Sequence, residues 1–225
     1  MKPYIAAVAA TALSLSLAGS VFAGDRDDKT PRDVVATYDF AGFDEIEVMG
    51  VYELDIRAGD TFSVRTEATR KEARYLNVEL DGRRLVLDNN DDENKNWGRN
   101  NRNSSVLAIV TLPKLASLEV TGVATGTVSA FTDGDVDVEI AGVGDLTLAG
   151  RCDRLDIEMA GVGSLDAQDL VCAEVEATMG GVGEMSVHAT ERIEADSGGI
   201  GEIEIYGNPS ERDVDDGFMS KVRFR

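Results

Sequence analysis

Histidine, cysteine, aromatic and basic residues are all scarce in this sequence. Its 225 residues include one histidine, two cysteines and one tryptophan, and 22 Lys and Arg stand against 42 Asp and Glu. The single histidine, His188, excludes a multi-histidine metal site, and its place in the alternation after Met185 and Val187 assigns it to the surface. A net charge of −20 repels phosphate backbones and therefore excludes nucleic acid as a partner.

Long hydrophobic runs are absent after residue 23. Residues 1–23 combine Lys2, an apolar stretch at 5–18 and a small-residue cleavage site at 21–23, which is the pattern of a signal peptide. No later segment reaches the ~18 apolar residues of a transmembrane helix, so we predict no transmembrane segment. We expect an exported protein of the periplasm or the cell surface whose mature chain begins at Gly24.

A short glycine-containing motif recurs along the second half of the chain, with Ile140-Ala141-Gly142-Val143-Gly144 as one copy. The first glycine of each copy, including a degenerate copy with Ala124 in place of the second glycine, lies at positions 122, 142, 161, 181 and 199. A nearly constant period of this length indicates stacked structural repeats. The glycines suit sharp corners, because they permit positive φ angles and close backbone approach.

Apolar and polar residues alternate on both sides of each glycine corner. In one repeat Leu155, Ile157 and Met159 precede the corner, and Leu165 and Ala167 follow it. This period of two is typical of strands with one buried face and is the wrong period for helices. The predicted fold class is all-β: a single-stranded, right-handed parallel β-helix, or β-solenoid, with an antiparallel β excursion near the N-terminal end.

The other segments are assigned around this solenoid. Residues 24–37 are charged and aperiodic, which predicts a flexible leader, and residues 38–225 form the solenoid domain. One coil is expected around Gly50-Val51, before the excursion, in which an Asp-Gly turn at Asp81-Gly82 predicts a hairpin. Residues 210–225 are predicted to form a C-terminal cap.

The two cysteines occupy equivalent places in successive coils. Cys152 lies nine residues before Gly161, and Cys172 lies nine residues before Gly181. Stacked strands are ~4.8 Å apart, which falls within the ~4.4–6.8 Å Cα separation of disulfides. A Cys152–Cys172 disulfide is therefore predicted in an oxidising compartment; two buried free thiols are the alternative.

Taken together, several motifs between about residues 43 and 209 resemble the bacterial head-GIN domain family of autotransporter adhesins. They are the Phe43…Ile46-Glu47-Val48 opening, the Val106…Leu112-Pro113 segment, the serial Gly-x-Gly corners and the Tyr206-Gly207-x-Pro209 ending. The resemblance implies a fold similar to the right-handed β-helices of pectin-lyase-like proteins, no recognised catalytic residues, and adhesion at the cell surface.

Solvent-facing carboxylates are predicted to stack in columns from coil to coil. Three and five residues before the corner glycines stand Glu119, Glu139, Glu158, Thr178 and Asp196, and Ser117, Asp137, Asp156, Glu176 and Glu194. Like charges at this spacing repel, and Ca²⁺ could relieve the repulsion, with Glu139, Asp156 and Glu158 as candidate ligands. The alternative is that the carboxylates are solvated and keep a β-rich surface from aggregating.

No carboxylate pair is singled out as catalytic. Any two neighbours in these columns meet the ~5–9.5 Å separation that glycoside hydrolysis uses, so the spacing carries no information. Residues 132–205 contain no Phe, Tyr or Trp, so the coils lack the aromatic platforms of ligand pockets. We predict no catalytic residues, and no cofactor apart from the calcium candidate.

The Asn-rich segment at 88–105 is the better candidate for recognition. It contains seven asparagines in eighteen residues and is predicted to be a long exposed loop. Within it Trp97, Arg99 and Arg102 offer stacking and hydrogen bonding that the coils lack. An insertion without a partner is the alternative.

These features favour a non-enzymatic, exported cell-envelope protein that acts in adhesion or in binding an envelope or surface ligand. Two alternatives stay open. One is a carbohydrate-active enzyme on a pectin-lyase-like β-helix, and the other is a periplasmic structural or assembly factor that binds another envelope protein through the open edge of the solenoid.

Overall fold

The structure is a computed structural model and describes residues 31–89 and 106–225. These ranges contain strands and one 3₁₀ turn. The elements are β1 (Val34–Tyr38), β2 (Glu45–Val48), β3 (Val51–Ala58), β4 (Ser63–Ala68), the 3₁₀ turn Glu72–Arg74, β5 (Asn77–Asp81), β6 (Arg84–Asp88), β7 (Val106–Leu112), β8 (Ser117–Val120), β9 (Val123–Phe131), β10 (Asp135–Ile140), β11 (Val143–Met159), β12 (Val162–Met179), β13 (Val182–Ser197), β14 (Ile200–Tyr206), β15 (Glu211–Asp216) and β16 (Met219–Phe224).

The strands stack into two parallel ladders, called here the first and second sheets. The first sheet contains, in order, β6, β2, β8, β10, the C-terminal parts of β11, β12 and β13, and β15. The second contains β7, β3, β9, the N-terminal parts of β11, β12 and β13, then β14 and β16. The predicted parallel β-solenoid is confirmed.

The core runs along the solenoid axis as columns of equivalent residues. In the first sheet Leu118, Val138 and Ile157 lie one above another, and in the second sheet Leu146 lies above Leu165. All five are almost completely buried. Their neighbours along each strand are mostly exposed, as the alternation in the sequence predicts, so one coil alone could not bury its own apolar face.

Backbone contacts between glycines hold the corners together. The Val162 N–H donates to the Gly142 carbonyl oxygen at 3.0 Å, and Val182 N–H donates to the Gly161 oxygen at 3.0 Å. A Cβ atom added at Gly161 would overlap the Gly142 oxygen of the coil before it. The corner column therefore requires glycine because of close approach between stacked backbones.

The coil made by β6 and β7 is out of sequence order. It stacks on the outer side of the coil made by β2 and β3, while β8 and β9 stack on the opposite side of that coil. The predicted antiparallel hairpin is confirmed as β5–β6. The rest of the excursion was assigned wrongly in part, since β6 and β7 bury Leu85, Leu87, Val106 and Val110 in the shared core and belong to the solenoid.

Both ends of the domain differ in detail from the sequence prediction. Residues 34–37 of the predicted leader form part of β1, whose alternate residues are half-buried and which pairs antiparallel with β4; residues 24–30 of the leader lie outside the described residues. At the other end, β15 and β16 continue the parallel stacking on β13 and β14 instead of folding back over the edge. A capping role for residues 210–225 stays a prediction.

The predicted disulfide joins two successive coils. Cys152 and Cys172 are paired residues of β11 and β12, with Cα atoms 4.6 Å apart, and their sulfur atoms are bonded. Both side chains are buried. The bond lies at the bend between the two sheets, on the side opposite the glycine corner.

Candidate functional site

The outer face of the first sheet carries the predicted carboxylate columns and is called here the acidic face. One column contains Glu47, Glu119, Glu139, Glu158, Thr178, Asp196 and Asp215, and the next contains Glu45, Ser117, Asp137, Asp156, Glu176, Glu194 and Asp213. The predicted register is therefore confirmed. One further coil at each end adds acids to the columns: Glu45 and Glu47 at one end, and Asp213 and Asp215 at the other.

Arginines partly compensate this charge. Arg84, at the N-terminal end, lies 3.4 Å from Glu45, 3.3 Å from Glu47 and 3.6 Å from Glu119. Desolvation and the neighbouring Glu47 charge nevertheless raise the pKa of Glu119, against the lowering effect of Arg84. At Glu119, partial burial and a neighbouring carboxylate together outweigh the nearby arginine.

A third column on the same face alternates in sign. Its members, in spatial order, are Asp135, Arg154, Glu174, Arg192 and Glu211. Arg154 also bridges to Glu176 at 2.7 Å, and Arg192 bridges to Glu194 at 3.0 Å. Each arginine therefore lies among acids of neighbouring coils, and a shallow groove between them is lined by charged side chains.

The calcium candidates are neighbours but do not form a cage. Glu139 and Glu158 are paired across coils, and Asp156 lies two residues from Glu158 in β11. Within residues 31–89 and 106–225 no three Asp, Glu, His or Cys side chains converge to hold a metal ion. The carboxylates lie side by side on one face of the sheet without enclosing a common point, so calcium binding stays a prediction.

A row of exposed aliphatic side chains follows the glycine corners and is called here the aliphatic ridge. Val143, Val162, Val182 and Ile200 stack in register, and each exposes between 45% and 52% of its surface. Met219 extends the row with 59% exposed. Strands stack at ~4.8 Å, so this is a continuous apolar line of about 20 Å on a surface that is otherwise charged.

The surroundings of the aliphatic ridge leave it accessible from the side. The residues just before it are small and form the corner backbone, as in Ala141-Gly142 and Gly180-Gly181. Two residues after it lie the exposed or partly exposed side chains of Asp145, Ser164 and Glu184. Sequence reasoning missed the ridge because the corner interrupts the alternation; its one signal was an aliphatic residue between the glycines of every copy.

Other chemically capable side chains are isolated. The His188 Nδ1 lies 3.0 Å from the Gln168 carbonyl oxygen in an exposed setting, which agrees with its assignment as a surface residue. Burial raises the pKa of Tyr52, whose hydroxyl has no hydrogen-bond partner among the residues described. Tyr38 and Asp88 also raise the pKa of Tyr52, which keeps its hydroxyl protonated and therefore a poor nucleophile.

A family model described as putative auto-transporter adhesin, head GIN domain matches residues 42–209 of this chain. The chain belongs to the head GIN domain family. The match covers the acidic face through Asp196 and the aliphatic ridge through Ile200, while the last coil, β15 and β16, lies beyond it. No curated protein matches the chain in sequence.

Several solved structures are similar to this head GIN domain, and the similarity to the first of them shows the fold. A putative adhesin from Bacteroides fragilis NCTC 9343 is 18% identical and covers 85% of this chain and 96% of its own, with a TM-score of 0.62. A putative adhesin from Parabacteroides distasonis ATCC 8503 is 16% identical, covering 84% and 95%, with a TM-score of 0.46. A putative lipid binding protein from the same strain is 20% identical, covering 87% and 98%, with a TM-score of 0.41.

Two further observations complete the description of the head GIN domain. No helix among the described residues has the length and hydropathy needed to cross a membrane. The predicted recognition residues Trp97, Arg99 and Arg102, and the predicted signal peptide, lie outside the described residues. The described residues on either side of that segment are Asn89, which bonds to Val51, and Val106, which pairs with Tyr52.

Proposed function

We propose that this head GIN domain protein is an exported, non-enzymatic adhesion module of the cell envelope. It binds its ligand along the aliphatic ridge and not in a cleft. The observation that carries the proposal is the register of Val143, Val162, Val182 and Ile200, which places exposed apolar side chains in one unbroken line. Contiguous apolar surface with a polar rim is typical of interaction sites.

The charge beside the aliphatic ridge defines the kind of ligand that fits. The acidic face ends at the corner on one side of the ridge, and Asp145, Glu184 and Glu202 lie on the other side. A ligand with an apolar strip and flanking cationic groups matches both features. The rim charges would contribute more to the association rate and to specificity than to affinity.

An enzyme is disfavoured by the same geometry. The acids of the acidic face repeat from coil to coil on an open sheet surface. Glu119, whose pKa is raised, lies beside other carboxylates and Arg84 and not in a pocket that could hold a substrate. The described surface offers shallow grooves lined by charged residues, whereas substrate sites are concave and mostly apolar. Binding by surface complementarity is the function that this arrangement supports best.

The test compares two sets of substitutions in the full mature protein. The ridge variant is V143T/V162T/V182T, which keeps the shape and β-branching of each side chain and removes apolar surface. The matched control is D153N/D169N/E191Q, which changes three exposed acids on the side of the coils opposite the glycine corners. Retention by bacterial or host cell surfaces, measured with labelled protein, should fall by about ten-fold or more in the ridge variant. Equal retention of the ridge variant and wild type would refute the role of the ridge.

Location is tested separately by fractionating cells that produce the full-length chain. We expect the processed protein, beginning at Gly24, in the periplasm or at the cell surface, and intact mass gives the processing site. Unprocessed protein in the cytoplasm would contradict export. Stable co-purification with one envelope protein, without retention by cell surfaces, would instead support the assembly-factor alternative.

The Asn-rich segment is a second candidate for contact with the ligand, through Trp97, Arg99 and Arg102. Deleting residues 90–104 and measuring retention by the same cell surfaces tests it. The deletion spares Asn89, which is buried against the solenoid. Full retention after deletion would leave the ridge as the sole binding element of the proposal.

A further inference from the structure

The last coil of the solenoid has open strand edges. β15 pairs with β13, and β16 pairs with β14, and within the described part of the chain no strand pairs with the opposite edge of either. This coil, residues 211–224, is called here the terminal coil. Edge strands present unpaired backbone N–H and C=O groups and favour pairing with another chain unless something blocks them.

The terminal coil is also the most apolar exposed region of the described chain. Phe218 is fully exposed, Met219 is 59% exposed, Phe224 39% and Val214 37%. Val214 and Phe224 continue the core columns that contain Ala195 and Ile205. The end of the hydrophobic core is therefore open to solvent, and a partner that covers it would bury core residues.

The two strands of the terminal coil carry opposite charge. On the outward side of β15 stand Glu211, Asp213 and Asp215, whereas β16 and the residue after it carry Lys221, Arg223 and Arg225. Arg223 bridges to Glu202 at 2.8 Å, and Arg225 bridges to Glu204. These bridges hold both guanidinium groups along the outer face of the second sheet, near its open edge.

One contact fixes which residues of the two strands lie opposite each other. The Arg212 guanidinium carbon lies 4.3 Å from the centre of the Phe224 ring, across the open end of the core. From this pair the other inward residues follow: Val214 is opposite Val222, and Asp216 is opposite Ser220. The terminal coil is thus nearly symmetric in shape and opposite in charge about a line parallel to its strands.

We propose that the terminal coil is the interface of a homodimer. A two-fold axis parallel to the strands places β15 antiparallel to β16 of the partner. Glu211 then lies opposite Arg225 of the partner subunit, Asp213 opposite the partner's Arg223, and Asp215 opposite the partner's Lys221. The symmetry repeats each pair, which gives six ion pairs on the outer faces. The inward residues between them are the apolar Val214, Val222 and Phe224 together with the polar Arg212, Asp216 and Ser220.

Other packings of two copies satisfy the charges less well. A two-fold axis perpendicular to the strands pairs β15 with itself, so the acids of one copy face the acids of the other, and cross-strand like charges are destabilising. Head-to-tail stacking produces open filaments instead of a closed dimer. The axis parallel to the strands is the arrangement that joins opposite charges and closes both edges.

The interface is small, and this sets the strength expected. Strands of six residues span ~20 Å and the sheets lie ~10 Å apart, so the shared face is far below the ~800 Å² per partner of a standard interface. Backbone hydrogen bonds between the edge strands add to it, except at the Val222 N–H, which donates to Asp216 Oδ1 at 2.8 Å. We expect a dimer that assembles at micromolar concentrations and weakens as NaCl rises, because most of its charge pairs are exposed.

The test uses two charge-reversed forms of the mature protein, D213K/D215K and K221D/R223D. Sedimentation velocity over a range of concentrations should show a wild-type dimer and a dissociation constant at least about ten-fold higher for each variant alone. An equimolar mixture should restore a dimer, because each strand then meets an opposite charge. The control D137K/D156K on the acidic face should dimerise like wild type.

Four results would overturn the proposal. They are a wild-type monomer at all concentrations, a dimer that neither reversal weakens, variants that stay monomeric when mixed, and a mass that grows beyond two copies. Circular dichroism verifies that each variant is folded, and a wild-type dimer insensitive to NaCl would also contradict the ion pairs. Sedimentation is measured without ligand, so failure of the dimer proposal would leave the proposed adhesion function untouched, and the reverse also holds.

Discussion

The side-chain amide of Asn89 makes the hydrogen bonds to Val51 that the backbone of a stacked glycine corner makes in other coils. Asn89 Oδ1 accepts a hydrogen bond from the Val51 N–H at 2.8 Å, and its Nδ2 donates to the Val51 carbonyl oxygen at 3.0 Å. In the next coil the Val123 N–H makes the equivalent bond to the Gly50 carbonyl oxygen at 2.8 Å. A buried side-chain amide thus continues the corner column where the chain has no corner glycine.

Substituting Asn89 should destabilise the N-terminal end of the solenoid. Asn89→Ala leaves two buried backbone groups of Val51 without partners and should lower the free energy of unfolding by about 1–3 kcal/mol. Asn89→Asp keeps the acceptor but loses the donor, so it should also be destabilising. Urea denaturation followed by circular dichroism measures both. Wild-type stability of Asn89→Ala would show that solvent satisfies these groups.

Neighbouring glycines in one corner should respond in opposite ways to alanine. At Gly181 a Cβ would overlap the Gly161 backbone oxygen, whereas at Gly180 a Cβ meets nothing within 4 Å. Gly180→Ala should be neutral or stabilising by up to about 1 kcal/mol. Gly181→Ala should lower the melting temperature strongly or prevent folding. Similar melting temperatures for the two variants would contradict the tight corner.

Reducing the Cys152–Cys172 disulfide should lower stability without unfolding the solenoid at room temperature. The bond closes a loop with a sequence separation of 20 residues, for which the chain-entropy model gives about 3 kcal/mol. The C152S/C172S variant should melt at a lower temperature than the oxidised wild type and no longer respond to reductant. Two thiols labelled in the native protein without reductant would contradict the bond itself.

The pKa of Glu119 predicts a stability that depends on pH. Desolvation and Glu47 raise this pKa above the usual 4.5, so the folded state favours the protonated carboxyl. That contribution is fully present below the usual pKa and is lost as pH rises through the folded-state pKa. Glu119→Gln should therefore melt at a higher temperature than wild type at neutral pH, and the difference should shrink in acid.

Substituting Arg84, the cation next to Glu119, is the control for Glu119→Gln. Arg84 lowers the pKa of Glu119 and lies 3.6 Å from it, so Arg84→Gln removes the compensating charge and should lower the melting temperature at neutral pH. If Glu119→Gln were destabilising at neutral pH, the salt bridge to Arg84 would outweigh the cost of the crowded carboxylates.

Much of the solenoid could be predicted because equivalent residues of successive repeats have the same position in the coil and the same burial. The spacing of the corner glycines gave the register that places Glu139 beside Glu158 and Cys152 beside Cys172. Period-two alternation gave the buried face of every coil from Leu118 onward. These features depend on residues about one coil apart, so local periodicity is sufficient to find them.

Other features depend on contacts that the local sequence does not report. The coil made by β6 and β7 has no glycine corner, and its stacking outside β2 and β3 reverses the order of the chain, so alternation alone left it as an excursion. Asn89 was grouped with the Asn-rich segment, although its position after Leu87 corresponds to Gly50 after Val48. The exposure of Val143 depends on how the corner turns, which alternation does not specify.

The reversed order of the first coils determines how this protein can assemble. In later coils the stacked partners are close in sequence, as in the Thr190–Cys172 hydrogen bond across 18 residues, whereas the Ser129–Ile56 bond spans 73. Closing the longer loop costs more entropy and slows the step. In a chain synthesised N-terminus first, β6 and β7 can cover one edge of β2 and β3, but the other edge stays open until β8 and β9 have formed. We therefore expect the coils from β10 onward to nucleate folding and the N-terminal coils to join last.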